Sequence, residues 1–300
     1  MKAARFSRFG GPEVLEIVDL PDPHPGPGQV RVRVHAAGVN PSDWKKRRGL
    51  MDQDLPQTLG YEAAGIVDEL GEGVTNAAVG MHVFGFTAAE GSQAELAVLA
   101  HYAPMPASLD FAGAAALPAA LETAARALDQ LGVTDGSTLL VNGASGSVGG
   151  AAVQLAVARG ARVIGTASPA NHDYVRSLGA EPVAYGDGLA GRVRALAPGG
   201  VDLALDVAGS GVLPELIELA GGAEHVITIA DVQGARDHGV RFSTGESGRA
   251  LYVLDDIGPL VGSGRFSLPA VQTFPLADVA QAQRLSEEGH VRGKLVLLVG

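Results

Sequence analysis

Three glycines spaced three apart, Gly143, Gly146 and Gly149, lie in the stretch Val141-Asn142-Gly143-Ala144-Ser145-Gly146-Ser147-Val148-Gly149-Gly150. The apolar run Thr138-Leu139-Leu140-Val141 precedes them, and Val148, Ala152, Leu155 and Ala156 follow at helical spacing. A glycine pattern in this strand–turn–helix setting suits the diphosphate of a dinucleotide. The turn needs backbone freedom, and the main chain must approach the phosphates without intervening side chains. The helix start then offers unpaired N–H groups and the positive end of its dipole. The plainer alternative is a strand-to-helix turn whose glycines provide tightness alone.

Which dinucleotide depends on the next strand. Folds that hold the ribose hydroxyls of NAD place Asp or Glu about 20 residues past the glycines. Here residues 162–165 run into Thr166-Ala167-Ser168, with Ser168, Asn171, His172 and Arg176 close by and no acid at the tip. No carboxylate there repels a 2′-phosphate, while a hydroxyl, an imidazole and a guanidinium can donate to it, so NADPH is favoured. Binding through His172 would weaken as pH rises and the imidazole loses its proton. Asp173 is a counter-signal, and His172 and Arg176 also read as residues of a solvated helix face.

Elements on either side must position this turn. The first hundred residues read as β-rich: residues 29–35 alternate apolar and polar with period two, 64–70 run into the turn Gly71-Glu72-Gly73, and 80–85 form a short strand bounded by glycines. Prolines and glycines at 21–28 punctuate turns. From about residue 120 the pattern alternates strand and helix. Strands are expected at 138–141, 162–165, 182–184, 201–205 and 225–229, and helices at 147–159, 171–178 and 213–219. Such alternation implies an α/β fold with a doubly wound parallel sheet. The tail from 264 changes again: a helical stretch at 276–288 precedes an apolar strand at 294–299, expected to rejoin the first domain.

Composition narrows the chemistry. The chain has 300 residues, 46% hydrophobic and 18% charged, enough apolar material for a buried core and too little charge for disorder. A net charge of −11 argues against nucleic acid as the main partner. The absence of cysteine removes disulfides, thiolate nucleophiles, iron–sulfur clusters and sulfur-based zinc sites. No export signal follows the N-terminus, and Pro118, Glu122, Arg126 and Asp129 interrupt the most apolar stretch, so the expectation is a cytoplasmic protein without membrane spans. Gly143-Ala144-Ser145-Gly146-Ser147 lacks the last glycine of a nucleophile elbow, and the eight histidines show no paired helical ligand spacing.

Further motifs make a family resemblance visible. Gly38-Val39-Asn40-Pro41-Ser42-Asp43-Trp44-Lys45, Leu59-Gly60-Tyr61-Glu62-Ala63-Ala64-Gly65-Ile66-Val67, the turn at 143–149, Val201-Asp202-Leu203-Ala204-Leu205-Asp206 and Gly289-His290-Val291-Arg292-Gly293-Lys294 occur in family order. With them the chain resembles the zinc-free, zeta-crystallin-like quinone oxidoreductases of the medium-chain dehydrogenase/reductase superfamily, over essentially its whole length. The resemblance implies a GroES-like β-rich domain at 1–119 and 264–300, a Rossmann domain at 120–263, a cleft active site and a homodimer. Zinc-dependent relatives carry Cys at the position of Asn40, His at that of Tyr61 and a further Cys near 145, all absent here. His82, where the family has Asp, reads as structural.

The resemblance also implies site residues. Without a Lewis acid the acceptor must take hydride readily, which suits a quinone or an enone. Asn40, Gln57 and Tyr61 would line the acceptor site, Asn40 bonding the nicotinamide ribose or an acceptor oxygen and Tyr61 donating to developing oxyanion charge. Asn40 as a turn residue and Tyr61 as packing remain alternatives. Gly143, Ser145, Gly146, Ser147, Val148 and Gly149 would hold the diphosphate. Ser168 and His172 would sit near the adenosine phosphate and Tyr185 by the adenine. Gly209, Ile229 and Ala230 would follow at later strand ends, with Phe242 and Lys294 near the nicotinamide. The leading expectation is an NADPH:quinone oxidoreductase acting on a small-molecule acceptor. The others are an NADPH-dependent enone or 2-alkenal double-bond reductase and a non-catalytic NADPH-binding sensor. The chain looks shorter than typical relatives around 86–92 and 230–250, segments expected to shape the acceptor pocket.

Overall fold

The alternating and apolar runs become two units in the computed structural model, which describes residues 1–89, 91–245, 248–289 and 291–300. His290 of the closing motif, and residues 90, 246 and 247 of the two short segments, lie outside the described residues. In chain order the first unit contributes β1 (Lys2–Phe6), β2 (Glu16–Asp19), β3 (Val30–Val39), α1 (Pro41–Arg47), β4 (Gln57–Thr58), β5 (Glu62–Leu70), β6 (His82–Thr87), β7 (Leu96–Pro104) and α2 (Phe111–Ala115). The second unit follows with α3 (Pro118–Leu131), β8 (Thr138–Asn142), α4 (Ser147–Ala158), β9 (Arg162–Ala167), α5 (His172–Ser177), β10 (Glu181–Ala184), α6 (Leu189–Leu196), β11 (Leu203–Asp206), α7 (Leu213–Ala220), β12 (Val226–Thr228), α8 (Val232–His238) and β13 (Arg241–Phe242). The chain ends with α9 (Val253–Gly262), β14 (Val271–Pro275), α10 (Val279–Glu288) and β15 (Lys294–Leu298).

The first unit comprises Met1–Ala119, Leu254–Gly262 and Leu268–Gly300. Its larger sheet runs β14-β15-β3-β5-β6-β7 and closes by a further β3–β7 pairing. Val30, Val32 and Val34, the apolar half of the alternation, are buried against Val67, Val83 and Leu99. β3 gives its early residues to β7 and its late ones to β15, as in the pairs Val30↔Leu99 and Val39↔Leu295. The C-terminal strand therefore adds to a sheet whose other strands, apart from β14, come from the first 104 residues. Arg47, fully buried, fastens α1 to α10 through Gln283 Oε1 at 2.7 Å and Glu287 Oε2 at 2.5 Å.

Ala120–Val253 and Ser263–Ser267 form the second unit. Its sheet is parallel throughout, in the order β10-β9-β8-β11-β12-β13. Counted from β8 as strand 1, that order is 3-2-1-4-5-6, with the reversal between β8 and β11 at the crevice where such sheets bind ligands. Leu139, Leu140 and Val141 are fully buried, each contributing about 1.5–3 kcal/mol relative to exposure.

Residues 254–262, expected within the second domain, cluster instead with the first unit. Within that unit α9 approaches Pro106, from which a Cβ at Gly258 would lie 3.9 Å. The short β13, α6 and α8 had no clear pattern in the sequence, being brief and compositionally mixed. Among the described residues no helix is long and apolar enough to cross a membrane.

A candidate dinucleotide site on the parallel sheet

β8 ends at Asn142, and after four intervening residues α4 begins at Ser147. The glycines between them have separate jobs. Gly143 adopts φ +92°, a conformation that other L-residues rarely reach, and a Cβ there would meet Ala208 Cβ at 2.9 Å. At Gly149 a Cβ would fall 2.1 Å from the Gly143 carbonyl oxygen, so any side chain would push α4 off the turn. Gly146 caps the helix with extended backbone and no side-chain hydrogen bond. The first-turn N–H groups of α4 have no intrahelical acceptors. Ser145, Gly146, Ser147 and Val148 are half-buried, open enough to meet a ligand.

Beneath the turn lies a file of polar side chains that the sequence reading did not single out as a site. Gly143 N donates to Thr166 Oγ1 at 2.9 Å, and Thr166 Oγ1 donates to Asn142 Oδ1 at 2.7 Å. Asn142 Nδ2 donates to Asp206 Oδ1 at 2.9 Å, and Thr228 Oγ1 donates to Asp206 Oδ2 at 2.7 Å. Asp206 also accepts from Ala208 N at 3.1 Å and Gly209 N at 2.8 Å. All four side chains are buried, Asp206 and Thr228 completely. The available signal was positional: each is the polar residue that ends, or nearly ends, an apolar parallel strand.

Other expected contacts occupy this end of the sheet. Gly209 has φ +76°, and Ala230 N bonds Thr228 Oγ1 at 3.1 Å. Ile229 N donates to the Asp206 carbonyl at 3.0 Å. Ser168 follows β9 and accepts from Asn171 Nδ2 at 3.2 Å. The His172 Nε2 lies 3.3 Å from the Ala167 carbonyl, to which only the protonated nitrogen can donate, leaving Nδ1 for any phosphate. Tyr185, just past β10, is 56% exposed.

For three further residues the structure shows partners within the protein. Arg176, named as a phosphate donor, pairs with Asp173 at 2.6 Å on the exposed face of α5, the solvated arrangement its i, i+3 spacing allows. Phe242, expected near the nicotinamide, packs against the core of the second unit because β13 continues the parallel sheet. Lys294, expected there too, is 3% exposed within the first unit. Its ammonium lies 2.6 Å from Glu62 Oε1 and 2.5 Å from Asn40 Oδ1.

Asn40 shares that cluster. Its Nδ2 donates to Glu62 Oε1 at 2.7 Å, and its backbone N–H donates to Asp43 Oδ2 at 2.8 Å at the start of α1. Both polar atoms of its amide are thus bonded inside the first unit. Glu62, completely buried, also accepts from Ala119 N at 2.6 Å, and a Cβ at Gly38 would collide with it at 2.1 Å. Tyr61 is half-buried, receives a 3.4 Å bond from Ser42 Oγ and stacks on Phe86 with ring centroids 6.5 Å apart. Gln57 is engaged elsewhere: its Nε2 donates to the carbonyls of Asp54 at 2.6 Å and Asp52 at 3.2 Å, holding a loop. His82, read as structural, is exposed, its ring tilted against Phe111 at 5.0 Å. A hollow of about 640 Å³ in the first unit is lined by Arg33, His35, Ile66 and Leu96 among others, and none of the expected site residues reaches it.

Comparison with known proteins adds an independent line. Residues 26–115 match the family described as Alcohol dehydrogenase GroES-like domain, and 178–297 match Zinc-binding dehydrogenase. The quinone oxidoreductase of Rattus norvegicus is 43% identical over 173 residues, a match covering 56% of this chain and only 53% of the rat protein. An NADPH-dependent alkenal/one oxidoreductase of Arabidopsis thaliana is 32% identical over 99% of this chain and 79% of its own length. The solved quinone oxidoreductase of Coxiella burnetii superposes with a TM-score of 0.87 at 32% identity, covering 100% of this chain and 99% of that one.

The second family description implies zinc, but the residues present do not suit it. The chain has no cysteine, and among the described residues no three His, Asp or Glu side chains converge. Glu62 and Asn40 already share a cation, the Lys294 ammonium, so a dication beside them would meet like charge.

Proposed function

This chain belongs to the quinone oxidoreductase family of the medium-chain dehydrogenase/reductase superfamily, and from that premise we propose that it is an NADPH-dependent quinone oxidoreductase working without zinc. The observation that carries the cofactor reading is the turn at Gly143–Gly149. It combines an uncapped helix N-terminus, glycines where a Cβ would collide, and the strand reversal of a 3-2-1-4-5-6 sheet. When bound, a reduced nicotinamide supplies a hydride to the acceptor.

The residues of this chain do the binding and orienting. Amides of the first turn of α4 would face the diphosphate, with Ser145 and Ser147 as added donors. Ser168 and the Nδ1 of His172 would meet the adenosine 2′-phosphate. The segment 165–172 contains no acid, which supports NADPH over NADH. Gly209, Ile229 and Ala230 would border the rest of the dinucleotide through main-chain groups, with Tyr185 beside the adenine. A quinone that gains hydride becomes a hydroquinone anion and needs one proton, for which the Tyr61 hydroxyl is the donor we favour. Asn40 and Lys294 act with Glu62 as a rigid cluster that shapes the acceptor side.

Reduction of an enone or 2-alkenal double bond is the second reading, supported by the similarity to the Arabidopsis thaliana enzyme over 99% of this chain. Turnover of NADPH with 1,4-benzoquinone, 9,10-phenanthrenequinone and 2-alkenals, measured side by side with and without chelator, tests both. Quinone activity unaffected by chelator is the expected result. Negligible turnover of every acceptor despite NADPH uptake would replace the proposal with a sensor role, and zinc-dependent activity would sink it.

A further inference from the structure

The polar file under the glycine turn converges on one residue. Gly143 N–H points to Thr166, the Thr166 hydroxyl to Asn142, and the Asn142 amide to Asp206; from the other side the Thr228 hydroxyl points to Asp206. The four side chains stand on β9, β8, β11 and β12, which are consecutive in the sheet. Thr228 Oγ1 is itself an acceptor for Ala230 N and Asp231 N, so its proton is available only to Asp206. Every donor therefore ends on one carboxylate, which has no ion-pair partner among the described residues.

We propose that Asp206 is a positioning residue for the dinucleotide: as common acceptor it locks the tips of four strands, and with them the diphosphate turn at Gly143 and the loop at Gly209. The loop needs such a lock. Ser210, next to Gly209, has φ +75°, the one non-glycine residue with positive φ among those described, and such backbone persists only where its surroundings hold it. An amide at position 206 has a donor where the carboxylate has none. It would face either the Asn142 amide or the Thr228 hydroxyl, and one end of the file would lose its acceptor. Asp206 need not touch the dinucleotide to act. The inference rests on the cofactor reading above and adds to it which buried groups shape the site.

Titration calorimetry with NADPH and with adenosine 2′-phosphate, which lacks the diphosphate, tests it on the full chain. D206N should weaken NADPH by at least about tenfold, the scale of losing a hydrogen bond to a charged group, and T166V, which removes two neutral bonds, by at least about fivefold, both leaving adenosine 2′-phosphate unchanged. T166S keeps the hydroxyl and should bind NADPH within about twofold of the parent chain, whereas a packing role would penalise T166S, which loses the methyl group, and spare T166V. If D206N does not fold, the two Thr166 variants decide alone. NADPH binding unchanged in T166V, equal losses in T166V and T166S, or parallel losses of both ligands would each overturn the proposal. Failure of the parent chain to bind NADPH or NADH would instead remove the cofactor reading, and this inference with it.

Discussion

Two completely buried carboxylates, Glu62 and Asp206, are accommodated in opposite ways. Glu62, in the first unit, is paired with the Lys294 ammonium and takes further bonds from Asn40 and Ala119. Asp206, in the second, is held among the described residues by neutral donors: an amide, a hydroxyl and two main-chain N–H groups. In the first arrangement charge balance sets the energy, because either partner alone is an uncompensated ion in low dielectric. In the second, direction sets it, because the carboxylate matters as an acceptor that cannot donate. The difference teaches that similar burial can serve two ends, a closed structural clamp and an oriented strand-tip network beneath the glycine turn.

The largest effect expected from this comparison is at the clamp. Lys294→Met leaves Glu62 buried without a counter-charge and should cost about 3–5 kcal/mol in urea unfolding, while the double variant Lys294→Met/Glu62→Gln should recover a good part of it. Equal losses in the single and double variants would show that packing, and not charge, governs the cluster. Asp206→Asn should be milder, about 1–3 kcal/mol by the same measurement, since it orphans donors without stranding an ion. A loss as large as that of Lys294→Met would erase the distinction.

A third carboxylate sharpens the contrast. Glu287 is 22% exposed and receives Arg47 and Arg48 at 2.5 and 2.6 Å. Burial pushes its carboxyl up, but hydrogen bonds from the two guanidiniums outweigh that, and the pKa falls below the ordinary 4.5. The pairing therefore stabilises the fold above the unfolded-state value and is lost as pH falls through the lower folded-state value. Glu287→Gln should cost about 1 kcal/mol near neutral pH, and the gap to the parent chain should close in acid. A gap that stays constant down to acid pH would assign the loss to shape instead of charge. Least affected should be Arg176→Ala: with Arg176 tied to the solvated Asp173, NADPH affinity should change by less than about twofold, and a larger loss would restore Arg176 as a phosphate ligand.

The resemblance and the periodicities anticipated most regular elements of the second unit because parallel strands buried on both faces are written as apolar runs, and α4 as a helical stripe. Boundaries drifted where a polar residue stands at or next to a strand end: β8 continues to Asn142, β9 past Thr166 to Ala167 and β11 to Asp206. Those same polar ends carry the network, so the drift and the missed site share one cause, that a buried polar group looks like the start of a loop until its partners are known. Asn40 and Lys294 were singled out by their place in motifs and Gln57 as an acceptor-site residue, yet composition and spacing do not identify which hydrogen bonds they make.

By itself the sequence determined the alternation of strands and helices, the glycine turn that only residues without a Cβ can make, and the exclusion of cysteine chemistry. These are local properties, set by backbone sterics and by which side chains avoid water. Only the tertiary structure decided that Lys294 neutralises Glu62 from 232 positions away, and that Thr166, Asn142, Asp206 and Thr228 line up across four strands. The reason is physical: a buried polar group is stable only when its partner arrives, and the partner is delivered by strand order and register, which no local pattern encodes.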